Sequence, residues 1–329
     1  MEPPYHMIHR IELPVPFPVK TTNVYVVEEE PITLIDTGVK TDISSQVLKD
    51  SLRRLGYGIE DIRRILITHG HLDHCGQAKS ISDQSGAEIH IHKEEYRRIR
   101  STARFRKQVA SVLLHNGTPE DSVEETIGYM EWAQQWGEPL DDVHFIDEGD
   151  EIRFNSMILR PIHCPGHSPG LLCFYLEEKG ILISGDHLLK EISPNPLINP
   201  PRKKGEPPNT SLKHYLNSIR RIDGLEVSLV LPGHGEPVED FKGLLEKILR
   251  HHEQRLGLVL SILSRGEKTA YEISRALFPY AKSFEVFLGV SEVLGHLSIL
   301  LEEGKVSLRS KNGIDYYSTN KFGGQVLIS

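Results

Sequence analysis

The sequence predicts an α+β protein: a sandwich of sheets with interspersed helices, then a smaller C-terminal domain of different character. Three observations predict it. Short apolar runs, each closed by a turn that carries glycine or proline, recur through residues 1–240. Between some of them apolar residues recur at helical spacing instead. After Pro237 the short runs give way to long helical patterns. At 329 residues the chain is long enough for one large domain or two ordinary ones, with a sizeable core.

In chain order, residues 8–13 and 23–27 read as strands separated by a proline-rich corner at Pro14, Pro16 and Pro18. A third strand, residues 32–35, runs into Asp36-Thr37-Gly38. Residues 42–56 place Ile43, Val47, Leu48, Leu52 and Leu55 on one helical face and stop at Gly56. A buried strand over residues 62–67, a helix near 77–85 and a strand at 88–92 follow. Residues 94–140 differ in kind: a basic run (Arg97, Arg98, Arg100, Arg104, Arg106, Lys107) precedes an acidic segment at Glu120 and Asp121. They read as a helical insertion, with Thr118 expected as an N-cap and Pro119 at the first helical position. Strands return over residues 150–230, broken by a proline-rich loop at 192–208 whose Arg202, Lys203 and Lys204 could meet an anionic part of a substrate. Residues 211–222 read as a helix and 227–234 as the last strand of the domain. In the tail, helices at 241–264, 269–277 and 286–303 precede two strands joined by Asn312-Gly313, the outline of a winged helix.

The stretch from Thr68 to His74, T-H-G-H-L-D-H, concentrates three histidines and an aspartate at a strand-to-helix turn. Imidazole nitrogen and carboxylate oxygen are ligands for first-row metals, zinc above all. His69 and His71 are two apart and can point to one side of an extended turn; adjacent Asp73 and His74 can face a second point. One ion needs three or four ligands, so others must come from elsewhere. His167 in P-G-H-S-P-G, Asp186 in S-G-D-H and His234 in P-G-H-G each follow a short apolar run and lie in a glycine-bearing turn. That repeated placement suggests ligands along one edge of the sandwich.

This set resembles the metallo-β-lactamase fold superfamily, and most closely its glyoxalase II-type hydrolases, over the first three-quarters of the chain. The resemblance implies a four-layer αββα sandwich. It also implies that His69, His71 and His167 hold one divalent ion, that Asp73, His74 and His234 hold the other, and that Asp186 bridges them. Asp36, in I-D-T-G, is implied as a buried group behind a ligand histidine. The ions implied are zinc, with iron or manganese as alternatives. The tail resembles the winged-helix appendage of β-lactamase-like endoribonucleases. The sequence therefore predicts domains at residues 1–240, catalytic, and 241–329, winged-helix-like.

The net charge of −8 is spread along the chain and gives no general attraction to nucleic acid or an anionic membrane. Cys75, Cys164 and Cys173 cannot form a disulfide framework, and they read as small buried residues because the ligand set is complete without them. His90 and His92 alternate with Ile89 and Ile91 and read as a polar strand face. The N-terminus lacks the apolar core of a signal peptide and no stretch approaches a membrane helix in length, so a soluble, cytoplasmic protein is expected.

The chemistry expected is hydrolysis by a hydroxide held between two ions, with Asp186 fixing their spacing and Asp73 helping to orient the water. His71 stands where flavodiiron proteins of this fold carry glutamate, which favours hydrolysis over oxygen reduction. The expected substrate is a small-molecule thioester or related acyl compound. The alternative is phosphodiester or RNA cleavage, suggested by the tail and the basic stretches. A mononuclear iron persulfide dioxygenase uses two histidines and one aspartate, and the second ligand set counts against it. DNA reading is not expected: residues 283–303 hold Glu285, Glu292, Glu302 and Glu303 and no lysine or arginine. The tail is read as a packing module that shapes the substrate entrance or makes a homodimer contact.

Overall fold

The computed structural model describes residues 7–191, 194, 196–199 and 209–320. Arg202, Lys203 and Lys204 lie outside the described residues. The chain divides into two compact units, one of Met1–Ala103, Glu131–Pro194 and His214–Ile248, the other of Arg104–Met130, Asn195–Lys213 and Leu249–Ser329.

The first unit is built on two sheets. The first has the order β1 (Ile8–Pro14), β2 (Thr21–Val27), β3 (Thr33–Ile35), β4 (Arg64–Leu66), β5 (Glu88–Ile91) and β6 (His144–Phe145). Its β1–β2–β3 part is antiparallel and its β3–β4–β5–β6 part parallel. The crossovers that parallel pairing demands are α1 (Asp42–Arg54) between β3 and β4, and α2 (Leu72–Cys75) with α3 (Ala78–Ser85) between β4 and β5. Thr41 caps α1 by accepting from Ser44 N–H, and Gly56, at φ +88°, stands just beyond its end. The second sheet has the order β11 (Leu229–Pro232), β10 (Ile181–Gly185), β9 (Leu172–Leu176), β8 (Ile158–His163) and β7 (Ile152–Arg153).

Strand alternation sends β1 to β4 into two cores. Val24 and Val26 of β2 face a cluster shared with Leu48 and Leu52 of α1 and Ile81 of α3. Tyr25 and Val27 face the other way, into a cluster with Leu172, Phe174, Ile181, Ile183 and Leu231 of the second sheet. On the far side of that sheet, Ile162 and Tyr175 meet Ile222 and Leu225 around a cavity of about 330 Å³ beside α7 (Ser211–Ile222). Helix, sheet, sheet, helix is the expected four-layer order. All strand ends that carry the singled-out His and Asp residues belong to this unit.

The insertion does not stay whole. Helix α4 (Lys93–Arg100) belongs to the first unit, whereas most of α5 (Thr102–His115) and α6 (Glu120–Ala133) belongs to the second. Val109, Leu113 and Val123 are buried in one apolar cluster with Val259 of α8 (Phe241–Leu263), Ile273 of α9 (Ala270–Leu277) and Phe287, Val290 and Leu294 of α10 (Phe284–Glu302). Apolar burial, not chain continuity, sets the grouping, so the units part differently from the expected cut at 240/241. The expected cap at Thr118 is not made: its buried Oγ1 has no hydrogen-bond partner among the described residues. The hairpin β12 (Val306–Lys311) and β13 (Ile314–Thr319) turns at Asn312 and Gly313, both at positive φ (52° and 79°), as a two-residue hairpin of this twist requires.

One expectation is corrected by length and composition. Phe284–Glu302 is, among the described residues, a helix long and apolar enough to cross a membrane. Its apolar residues are taken up by the core of the second unit, and 61% of its most apolar stretch is buried. A helix that is apolar nearly all round is a core helix when its neighbours cover it.

Candidate metal centre

The seven singled-out residues meet in two groups. His69, His71, His167 and Asp186 form one, Asp73, His74 and His234 the other, with the ligand atoms of each within 4.8 Å of one another. His71 is the residue before α2, Asp73 and His74 lie inside it, and His69 and the rest stand at ends of parallel or antiparallel strands of the two facing sheets.

In the first group three ring nitrogens converge: His71 Nδ1 lies 2.9 Å from His69 Nε2 and 3.0 Å from His167 Nε2. In the second, His74 Nε2 and His234 Nε2 are 3.4 Å apart, with Asp73 Oδ2 at 3.8 Å and 3.5 Å from them. Asp186 divides its two oxygens between the groups. Oδ2 is 3.5 Å from His167 Nε2 and 4.0 Å from His69 Nε2, while Oδ1 is 3.4 Å from both His74 Nε2 and His234 Nε2.

Hydrogen bonds behind the rings decide which nitrogens face inward. His74 Nδ1 donates to Asp36 Oδ2 at 2.8 Å, and His234 Nδ1 donates to the Thr21 carbonyl at 2.7 Å. Asp36 also accepts from Thr68 N–H on Oδ1 (2.8 Å) and from Thr68 Oγ1 on Oδ2 (2.7 Å). With its hydroxyl proton given to Asp36, Thr68 Oγ1 is left to accept from His69 Nδ1 at 3.1 Å. Asp36 therefore anchors one histidine of each group, through a backbone at φ +60° that asparagine and aspartate tolerate best among non-glycine residues. Each ring so held turns an Nε2 lone pair inward.

Lone pairs facing one another around a carboxylate repel unless protons or a cation lie between them. Burial and the neighbouring histidines push the His69 imidazole well below its usual 6.5, and burial with the Arg98 guanidinium does the same to His71. In the second group burial opposes the charged form, but Asp186 and Asp73 overcome it, holding His74 well above 6.5 and His234 at about 10. Burial would raise the two carboxyls; the histidines beside them instead hold Asp73 below and Asp186 well below the usual range. Asp186 Oδ1 is buried without a hydrogen-bond partner among the described residues. An orphaned carboxylate oxygen among converging imidazole nitrogens fits a divalent cation.

A third grouping, His92, Asp147 and His163, has three ligand-type atoms within the same 4.8 Å but a different chemistry. His92 Nδ1 accepts from Glu94 N–H at 3.2 Å, so its Nε2 carries the proton toward Asp147 Oδ1, 3.5 Å away. His163 Nε2 donates to the Pro169 carbonyl at 2.9 Å. The His92 ring presents a donor there instead of a lone pair, which suits a hydrogen-bonded cluster. His90 stacks on His144 with ring centroids 5.1 Å apart and lies in none of the three groupings. The three cysteines are free, buried and outside the groupings as well.

Against known proteins, the model of the metallo-beta-lactamase superfamily matches residues 18–234. The chain belongs to that superfamily. Over 94% of its length it is 30% identical to a Bacillus subtilis (strain 168) protein named Probable metallo-hydrolase YqjP, covering 97% of that protein. A metallo-beta-lactamase family protein from Thermus thermophilus superposes with a TM-score of 0.83 at 30% identity, covering 95% of this chain and 99% of the other. A beta-lactamase domain protein from Burkholderia ambifaria superposes at 0.81 and 23% identity, over 95% and 92%, which speaks to the fold alone. This metallo-beta-lactamase superfamily member is a metal-dependent hydrolase, and its clustered His and Asp residues imply divalent ions.

Sequence reading missed Glu95, whose buried carboxylate accepts from Gly70 N–H and Gly170 N–H, and Thr68 as the relay to His69. Thr68 was visible as the end of the strand; nothing in the sequence sets Glu95 apart from Glu94 beside it.

The two groups should load differently with pH. Ligands must be deprotonated to bind metal, so protons compete with the ion. His69 and His71 are already neutral near pH 7, whereas His74 and His234, with pKa values above 6.5, keep protons that an ion must displace. Zinc titration at several pH values is expected to give two equivalents per chain. One affinity should be nearly flat from pH 7 to 9, and the other should rise with pH and release protons. Equal pH dependence for both, or a single equivalent after supplementation, would contradict the paired site.

Proposed function

We propose that the chain is a two-metal hydrolase of glyoxalase II-like type, acting on a thioester or related acyl compound. His69, His71 and His167 would hold one ion, Asp73, His74 and His234 the other, with Asp186 shared. The observation that carries this reading is the division of the Asp186 oxygens, Oδ2 toward one group and Oδ1 toward the other. Zinc suits the His-rich donor set, with iron or manganese as alternatives.

When bound, such a pair of ions lowers the pKa of a water and polarises an acyl oxygen. The chain's own part is positional. Asp186 sets the spacing of the groups. Asp73, whose Oδ2 faces His74 and His234, would hold the second ion and help orient the attacking water. Asp36 and the Thr21 carbonyl keep Nδ1 protons outward on His74 and His234.

A second reading, an endoribonuclease, has one observation in its favour. Arg104, Arg106 and Lys107 belong to the same compact unit as the three helices and hairpin of winged-helix order. Helix α10 itself cannot be a groove-reading helix, because Val286, Phe287, Val290, Val293, Leu294 and Leu297 are buried in its own unit's core and its charged residues are all acidic. RNA would have to be met by other surfaces, and DNA reading stays disfavoured.

The test is a panel on metal-analysed protein: a thioester, a lactone, a β-lactam, a phosphodiester and a short RNA. Thioester turnover is expected to exceed the others by at least about tenfold in kcat/KM, the factor given by 1.4 kcal/mol of transition-state preference. Cleavage of the RNA with no thioester turnover would replace this reading with the second.

A further inference from the structure

Glu95 lies on α4, in a stretch whose composition gives it no distinction, yet its side chain is fully buried. Its two oxygens go to two different turns. Oε2 accepts from Gly70 N–H at 2.8 Å, and Oε1 accepts from Gly170 N–H at 2.6 Å. Gly70 stands between His69 and His71, and Gly170 is three residues after His167. One carboxylate thus ties together the two turns that carry the three histidines of the first group. The approach requires glycine at 170 and is eased by glycine at 70. A Cβ on Gly170 would collide with the His92 ring and press on Glu95 Cγ, and one on Gly70 would press on Glu95 Oε2 and Ile99. The helix that presents Glu95 is itself fixed at its start, where His92 caps Glu94 N–H and stacks on His163 at 4.5 Å between ring centroids.

We infer that Glu95 is a positioning residue for the first metal group: it sets the separation of the His69–His71 turn from the His167 turn without touching the ion. The inference rests on the assignment of those three histidines to one ion. The second group is held by other means, Asp36 behind His74 and the Thr21 carbonyl behind His234. The effect of losing Glu95 is therefore specific to one ion. Hydrogen-bonding partners behind metal ligands typically change affinity by roughly 10–100-fold when removed.

Glu95→Gln keeps the size of the side chain but leaves a single acceptor oxygen, so one glycine N–H meets an amide NH2 in place of a carboxylate. Zinc is titrated into the full chain against a competing chelator for the wild type, Glu95→Gln and Arg97→Gln, a charge change on the same helix. In Glu95→Gln the equivalent that His69→Ala removes is expected to weaken roughly 10–100-fold, with the equivalent that His234→Ala removes within about threefold of wild type. Arg97→Gln should match wild type in both. Cobalt(II) in the first site should show an altered ligand-field spectrum in Glu95→Gln alone. Wild-type affinity for both equivalents, or equal weakening of both with a lowered melting point of the metal-free protein, would overturn the role. Should Glu95→Gln fail to fold, hydrogen exchange on the wild type decides: Gly70 and Gly170 amides should both be strongly protected, and exposed-amide rates at either would overturn the strap. If His69→Ala removes neither equivalent, the ligand assignment itself fails, and the role of Glu95 with it.

Discussion

Asp186→Asn is expected to lower hydrolysis by several orders of magnitude and to weaken the second metal equivalent, while the chain stays folded. Asparagine has the size of aspartate, so packing around a side chain 8% exposed is kept. What goes is a negative charge lying between the two groups, with one oxygen 3.4 Å from two histidines of the second and the other 3.5 Å from His167 of the first. Two dications about 4 Å apart repel by on the order of 16 kcal/mol at an effective dielectric of about 20. Asp73 and bound water offset much of that, but the sign remains. The amide also puts an NH2 donor where one group needs a lone pair. Metal analysis, chelator competition and kcat/KM on one preparation check this together. Two tightly held ions with near-normal turnover in Asp186→Asn would remove the basis of the two-metal reading.

Asp36→Asn should be the next most damaging change, and the only one of the two to weaken both ions at once. Asparagine accepts the backbone at φ +60°, so the substitution tests the acceptors and not the turn. Aspartate accepts from Thr68 N–H, Thr68 Oγ1 and His74 Nδ1; asparagine has one oxygen to offer. Thr68 N–H can only donate and so keeps the amide oxygen, which puts the NH2 where Oδ2 met both Thr68 Oγ1 and His74 Nδ1; the His74 ring then takes the opposite tautomer and turns Nε2–H toward the second group. The same NH2 donates to Thr68 Oγ1, so the hydroxyl donates onward to His69 Nδ1, that relay reverses, and the first group suffers with the second. Each ion is expected to weaken by roughly 10–100-fold, with a loss of activity at least as large. Weakening of one equivalent only would show that the Thr68 relay does not reach His69.

The residues that meet at the site were legible because each closes an apolar run. A strand that ends in a polar, glycine-bearing turn places that turn at the rim of a sheet. His167, Asp186 and His234 share that setting with the Thr68–His74 stretch, which suggests one edge of the sandwich; their division into two sets came only with the family resemblance, and in the structure the seven residues fall into two groups. Glu95 was illegible for the opposite reason. It sits on a helix flank among Glu94, Arg97 and Arg98, and only the tertiary approach of Gly70 and Gly170 tells it apart. The fate of the insertion was illegible too. Helical spacing in residues 104–130 shows that Val109, Leu113 and Val123 share an apolar face, but spacing says nothing of which core that face joins. The apolar composition of α10 misled in a related way, since a core helix and a membrane helix differ in their neighbours more than in their residues.

That shared core sets an order of events during synthesis. Residues 104–130 leave the ribosome before most partners of their buried face: Leu197 and Ile198 come first, and the rest, from Val259 to Tyr317, more than a hundred residues later. Through that interval Val109, Leu113 and Val123 lack most of the core they join, and with it part of the roughly 1.5–3 kcal/mol that full burial of each is worth. The strands that carry the metal ligands all precede Pro237, and among the described residues their pairing is completed by Val238, which bridges Val230. The nascent chain therefore passes through a stage in which the hydrolytic half can be assembled while a sticky helical arm waits in solution for its partners. Contact order makes such a closure slow, and the exposed arm is where a chaperone has something to hold.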